Sequence, residues 1–410
     1  MRSTLMLLLA IWSTAGAQPT TVAFTNGRWF NGRDFEPRVM YAVSGVLQSR
    51  RPSAVDTTID LQGGYVVPPF GEAHNHNIEG SSRTDATLSR YIAEGIFYVM
   101  NPNSLPRSTA ALVGKVNKPN GVDVIFANGG LNVSGGHPYD LAQRNIARGS
   151  WKPEDGEGGF YHAIDDRAAL DAKWPAIVAG KPDFIKIYLL FSNEYDKRKD
   201  DSTVRGVKGL DPALVPEIVR RAHEAGLRVG AHIENVADFR TAVASGVDVI
   251  MHMPAYGWLG SGDSAQYVLS AADALEAARR RTSVVTTLGF GQRANATTRT
   301  PSQIRRDALN AANLRTLKAA AVTIAVGSDN YGANSRSEAL YLSDLAVWSN
   351  LELLKVWSEA TPLLIFPKRK IGALRDGYEA SFVVLEQDPL QDFANVLRIT
   401  RRVKQGILLP

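Results

Sequence analysis

Residues 211–254 read DPALVPEIVRRAHEAGLRVGAHIENVADFRTAVASGVDVIMHMP, and this stretch sets the fold class. Asp211 supplies a side-chain acceptor suited to a helix N-cap, and Pro212 fits the first helical position, where no N–H is needed. Leu214, Val215, Ile218, Val219 and Ala222 then fall on one helical face, and Gly226 ends the helix. Leu227 to Ala231 reads as a strand ending at His232. A second helix carries Val236, Phe239 and Val243 on one face, closes at Gly246 and leads to a strand from Val247 to Met251, ending at His252. Short apolar strands alternating with helices indicate parallel β/α units.

The same pattern extends outward. Strands are expected at Val66–Phe70, Ile96–Met100, Val122–Ala127, Phe184–Leu189, Val229–Ala231, Val247–Met251, Ser283–Thr287 and Val322–Val326. Eight such strands across roughly 300 residues match an α/β (β/α)8 TIM barrel, with an open doubly wound sheet as the alternative. The ends differ. From Val22 to Leu61, short β-branched and aromatic runs are broken by the turn signals Asn26-Gly27 and Asn31-Gly32. Ser381–Leu385, the turn at Asp388-Pro389 and the apolar stretch Val396–Val403 resemble them, so both termini are expected to build one small β domain. The expected boundaries are 18–65 and 366–410 for that domain and 66–365 for the barrel. Trp151–Gly159 reads as a loop over the barrel mouth.

Arg2, the apolar run Leu5–Trp12 and Ala15-Gly16-Ala17 read as a secretory signal over residues 1–17, placing the mature protein in the periplasm or outside the cell. No apolar run reaches the roughly 20 residues needed to span a bilayer. The chain has no cysteine, which removes disulfides, thiolate nucleophiles, iron–sulfur clusters and cysteine-bound zinc. Its 46 basic and 41 acidic residues form no basic block, so nucleic acid is not an expected partner.

The chemistry lies at the strand ends. In His74-Asn75-His76 alternate side chains point the same way, which sets two imidazoles at chelating separation. His232 and His252 end two successive strands, Lys186 lies in Phe184–Leu189, and Asp329 follows the last strand in Val326-Gly327-Ser328-Asp329. In a barrel all these ends converge on one face. His and Asp suit zinc or another borderline divalent ion. Single residues keep bland readings: Lys186 facing outward beside the barrel, Asp329 as a helix N-cap, His137 as a surface-loop histidine, Tyr188 as packing, and Glu234 as a helix cap or site wall. His162 and His223 are assigned to structure or solvent.

Together these residues resemble the amidohydrolase superfamily, in its prolidase and imidazolonepropionase-like branch. The resemblance rests on the H-x-H after strand one, Ile185-Lys186-Ile187-Tyr188, single histidines ending strands five and six, Asp329, and Gly372-x-Leu374-x-x-Gly377 with Val383-Val384-Leu385-x-x-Asp388-Pro389. It implies a metal-dependent hydrolase barrel with a β-sandwich built from both termini. It also implies that His74, His76 and Asp329 bind a more buried ion and His232 and His252 a second, with Lys186 carboxylated between two Zn2+ ions. Asp329 would be general base and acid, and His137, in Ser134-Gly135-Gly136-His137, and Tyr188 would meet substrate. Pro69 and Glu72 stand where the family usually carries Gly and Asp, and Ala380-Ser381 where it carries Ala-Asp.

The expected activity is hydrolysis of an amide or other C–N bond in a small molecule, a dipeptide or an N-acyl amino acid being candidates. Arg83, Arg107 and Arg144 are the loop cations that could meet a carboxylate. The alternatives are a one-ion deaminase-like enzyme, a lactone or ester hydrolase on the same fold, and a catalytically idle binding barrel. A homo-oligomer is compatible with the sequence but not specified by it.

Overall fold

In the computed structural model, which describes residues 21–289 and 299–410, the deciding stretch folds as alternating strands and helices. The signal segment at residues 1–17 lies outside the described residues. Asp211 accepts a hydrogen bond from the Ala213 N–H at 2.8 Å, but it caps a short 3-10 turn, Pro212–Leu214, which runs into the helix Val215–Glu224. That helix buries Val215, Ile218, Val219 and Ala222. The next helix, Val236–Ala244, starts from a reciprocal cap in which Asn235 and Asp238 satisfy each other's backbone N–H groups, and it buries Val236, Phe239 and Val243.

All ladders in the middle of the chain are parallel. One sheet orders its strands Tyr161–Ala163, Gly130–Asn132, Ile185–Tyr188, Val229–His232, Val249–Ile250, Ser283–Val285 and Ile324–Ala325. A second holds Phe70–Glu72, Ile96–Asn101 and Asp123–Phe126. Strands Ile185–Tyr188 and Val229–His232 are buried along their whole length, as expected where both faces are covered. Backbone bonds join the two sheets at both margins: the Ala73 N–H donates to the Val326 carbonyl at 2.9 Å, and the Asp183 N–H to the Phe126 carbonyl at 2.8 Å. The fold is mixed α/β with parallel sheets.

The chain ends meet in an eight-stranded sheet. Phe382–Leu385 runs antiparallel to Tyr65–Val67, which is paired in turn with Thr21–Phe30. Phe24, Trp29 and Phe382 pack edge to face in its core, with Phe382 4.9 Å from both partners. The fully buried Lys404 ties this sheet to the middle of the chain, donating to the carbonyls of Lys118 and Gly121 at 2.6 Å and to Asp123 Oδ1 at 2.7 Å.

Several expectations change. Val66–Phe70 is two strands, because Pro68-Pro69 offers no ladder N–H and breaks the run. Tyr65–Val67 belongs to the terminal sheet, and only Phe70–Glu72 joins the parallel one. Asn26-Gly27 is a bulge inside Thr21–Phe30 and makes no turn; a Cβ on Gly27 would lie 2.7 Å from Leu61 Cδ1, so the strand bends where only glycine fits. Strands Gly130–Asn132 and Tyr161–Ala163 were not expected from the sequence. The loop Trp151–Gly159 contains a 3-10 turn, Pro153–Asp155, held by a two-pronged Arg107–Asp155 ion pair at 2.6 and 2.7 Å.

Candidate active site

The residues that position the first histidine pair come from opposite ends of the chain. Phe70 stacks on Trp357 at 3.8 Å between ring centres and 7° between planes, and the Trp357 indole N–H donates to the Gly71 carbonyl at 3.0 Å. Glu72, fully buried, accepts from the Ser328 N–H at 2.9 Å, the Ser328 hydroxyl at 2.8 Å and the His74 N–H at 3.2 Å. It thereby clamps the His74 loop to the Asp329 loop. Asn75 points the other way from its neighbours, donating to Ser328 Oγ at 2.8 Å and accepting from the Tyr91 hydroxyl at 2.9 Å.

His74, His76, His137, Lys186, Tyr188, His232, His252 and Asp329 all line one cavity of about 220 Å³. The metal-ligand and substrate-contact candidates of the sequence are therefore brought together there. His162 and His223 lie elsewhere: His223 is exposed and pairs with Asp248 at 2.9 Å. Two of the bland readings drop out. The helix Ser335–Asp344 is capped by Asn334, not Asp329, and the helix after His232 by Asn235, not Glu234. Glu234 instead sets Oε1 3.1 Å from His232 Nε2. Lys186 is 2% exposed and lines the cavity.

Ring orientation is fixed from behind. His74 Nδ1–H donates to the Met251 carbonyl at 2.9 Å and His76 Nδ1–H to the Asn103 carbonyl at 3.0 Å. His252 Nδ1 lies 2.8 Å from the Thr287 hydroxyl. In the neutral form of the first two rings Nε2 then carries the lone pair, and both Nε2 atoms face Asp329 Oδ1, at 3.5 and 3.3 Å. Lone pairs aimed at a carboxylate oxygen repel unless a proton or a cation lies among them. The donor atoms of His74, His252 and Asp329 all lie within 4.8 Å of one another, a group that could hold a metal ion. This grouping takes His252 in place of His76, unlike the pairing the family resemblance implies.

Burial dominates the electrostatics. It pushes the imidazolium forms of His137 and His232 down to about 3 and those of His74 and His252 well below the ordinary histidine range, which leaves neutral rings able to ligate. Burial also lowers the His76 imidazolium, but its hydrogen bond with Asp329 and that carboxylate's charge outweigh this and raise it. Burial alone would raise the Asp329 carboxyl. Positive charge placed against it on the His74 and His76 side, the hydrogen bond with His76 and the Tyr256 hydroxyl outweigh this and hold it well below the carboxylate range. Lys186 is lowered by burial from 10.5 to about 7, so a large share of it is a neutral amine at physiological pH.

Sequence reasoning passed over several wall residues. Asn103 donates to the Tyr188 hydroxyl at 2.8 Å while its Oδ1 is buried with no partner among the described residues. Tyr331, on the turn after Asp329, lies over His76 at 5.8 Å and is 58% exposed at the cavity mouth. Tyr256 covers His252 at 3.9 Å and donates its hydroxyl to Asp329 Oδ2. Of the three loop arginines, Arg107 is committed to Asp155, Arg83 sits at the start of the helix Thr84–Ala93, and only Arg144 lines the cavity.

No protein-family model matches this chain, and no curated protein matches its sequence. Solved structures do match its fold. A crystal structure of an amidohydrolase overlays with a TM-score of 0.72 at 20% identity, covering 95% of this chain and 99% of the other. A prolidase complexed with N-methylphosphonate-L-proline gives 0.71 at 17% identity, covering 95% and 99%. The Aspergillus niger ochratoxinase gives 0.71 at 16% identity, covering 96% of each chain. The chain has the fold of these amidohydrolases and prolidases, as the sequence resemblance led one to expect.

Proposed function

We propose that the protein is an exported, metal-dependent member of the amidohydrolase superfamily that hydrolyses an amide or other C–N bond in a small molecule. The observation that carries this reading is the convergence of five imidazoles, Lys186 and the Asp329 carboxylate on one buried cavity. The neutral rings and the low carboxylate suit a borderline divalent ion, zinc foremost. His74, His76, His232, His252 and Asp329 would hold two ions, and Lys186, once carboxylated, would bridge them. Its amine, lowered to about 7, suits it to react with carbon dioxide. The two interlocked sheets would close as a (β/α)8 barrel through the Ala73–Val326 and Asp183–Phe126 backbone bonds, with the terminal sheet as its β-sandwich partner.

Bound in this cavity, divalent cations supply positive charge that makes water more acidic and polarises a carbonyl. The residues of the chain do the rest. Asp329, ionised at neutral pH, takes the proton from the attacking water and gives it to the leaving nitrogen. His137, 5.2 Å from the Tyr188 ring and 4.9 Å from that of His232, and the Tyr188 hydroxyl border the space where the substrate carbonyl would sit. Export rests on the sequence of residues 1–17 and is tested by the N-terminus of the mature protein. Among the described residues no helix is long and apolar enough to cross a membrane.

The decisive experiment is to measure metal per chain and to screen the metal-loaded protein against dipeptides and N-acyl amino acids. About two ions per chain, with turnover lost in His74→Ala, is the expected result. One ion with an indifferent Lys186→Ala would select the mononuclear alternative. Full metal without turnover of any amide, ester or lactone would select an idle barrel.

A further inference from the structure

Asp329 has two oxygens in different surroundings. Oδ1 faces the Nε2 atoms of His74 and His76, and Oδ2 accepts from the Tyr256 hydroxyl. The backbone at Asp329 sits in the left-handed region, φ +46°, and its N–H is held by the His74 carbonyl at 2.7 Å, so the main chain is fixed. The side-chain torsion is not fixed by this, because the terminal torsion of an Asp is broad and nearly two-fold. Without a second partner, the carboxylate plane could turn away from the histidines at little cost.

We propose that Tyr256 is the positioning residue of the Asp329 carboxylate: its phenol holds Oδ2, so that Oδ1 alone is presented to His74 and His76. The loop carrying Tyr256 is well placed for this task. Ala255 N–H donates to the Glu234 carbonyl at 3.0 Å and Tyr256 N–H to the Met253 carbonyl at 3.1 Å, while the ring rests on His252. One side chain thus fixes the carboxylate and packs on a neighbouring imidazole, linking the two loops that supply them. The two oxygens thus have separate partners. Oδ1 faces the ion site, and Oδ2 is taken up by the Tyr256 hydroxyl.

This inference rests on the reading of Asp329 as a metal ligand. Its test needs no substrate: the full-length protein, stripped with a chelator, is titrated with Co2+, and the visible absorption of the bound ion is recorded. Outer partners of metal ligands typically contribute about 10- to 100-fold in metal affinity. Tyr256→Phe, which keeps the ring on His252, is therefore expected to bind Co2+ at least about tenfold more weakly and with an altered visible spectrum, at unchanged melting temperature. Wild-type affinity and spectrum in Tyr256→Phe, alongside loss in Asp329→Ala, would overturn the role given to Tyr256 and leave the metal reading standing. Wild-type Co2+ binding in Asp329→Ala would instead overturn the metal reading itself.

Discussion

Removing the buried amine of Lys186 should stabilise the metal-free protein, and by an amount that pH controls. Lys186→Met keeps the length and most of the volume of the side chain, so packing changes little. Burial lowers the ammonium from 10.5 in the unfolded chain to about 7 in the folded one. Between those values the unfolded chain holds a proton that the folded chain has shed. Wild-type stability therefore rises with pH across this window by about 1.4 kcal/mol per pH unit, and below pH 7 the full penalty of about 5 kcal/mol is present. The variant has no such slope. Chelator-treated Lys186→Met should be more stable than wild type at pH 6 by up to about 5 kcal/mol, and the two should converge towards pH 10. Denaturant unfolding at pH 6, 8 and 9.5 measures the difference. With Zn2+ and bicarbonate present the order should reverse, because the variant has lost a ligand. A difference that ignores pH, or a variant less stable at pH 6, would refute the buried-amine reasoning and return Lys186 to an ordinary solvated role.

Three other perturbations follow from the geometry. Asp329→Asn should lower kcat by about two to four orders of magnitude while KM changes far less, measured at full metal occupancy; because Asn334 caps the following helix, lost capping cannot account for a drop. Glu72, pushed up to about 8 by burial, is mostly protonated at neutral pH, so Glu72→Gln should fold normally, whereas Glu72→Ala takes the acceptor from the Ser328 hydroxyl and the His74 N–H and should cost about 2–4 kcal/mol in chemical denaturation. The folded protein holds the Glu72 proton from pH 4.5 to 8 while the unfolded chain does not, so Glu72→Gln should gain stability relative to wild type as pH rises through that window. His223→Ala, which breaks only an exposed pair with Asp248, should leave metal content unchanged and stability within about 1 kcal/mol.

What the sequence made legible was local in origin. A strand alternates its side chains and ends at a definite edge, so His74, His76, His232, His252 and Asp329 could be gathered at one set of strand ends from their positions, while the inward reading of Lys186 rested on the family resemblance. What stayed hidden depended on partners far along the chain. Glu72 acts through Ser328, 256 residues away, and Tyr256 through Asp329, 73 residues away, and neither link leaves a periodic trace. Two local signals were present and misjudged: Pro68-Pro69 already forbade a continuous ladder, and Asn26-Gly27 marked a bulge because the strand went on pairing beyond it. A third marks the site itself. A Cβ on Gly327 would come within 2.8 Å of His74 N and 2.9 Å of His74 Cβ, so the glycine before Ser328-Asp329 is needed where the last strand passes the first histidine loop. That close approach sets the Asp329 carboxylate against the H-x-H pair, and any larger residue at 327 must push apart the groups whose convergence defines the cavity.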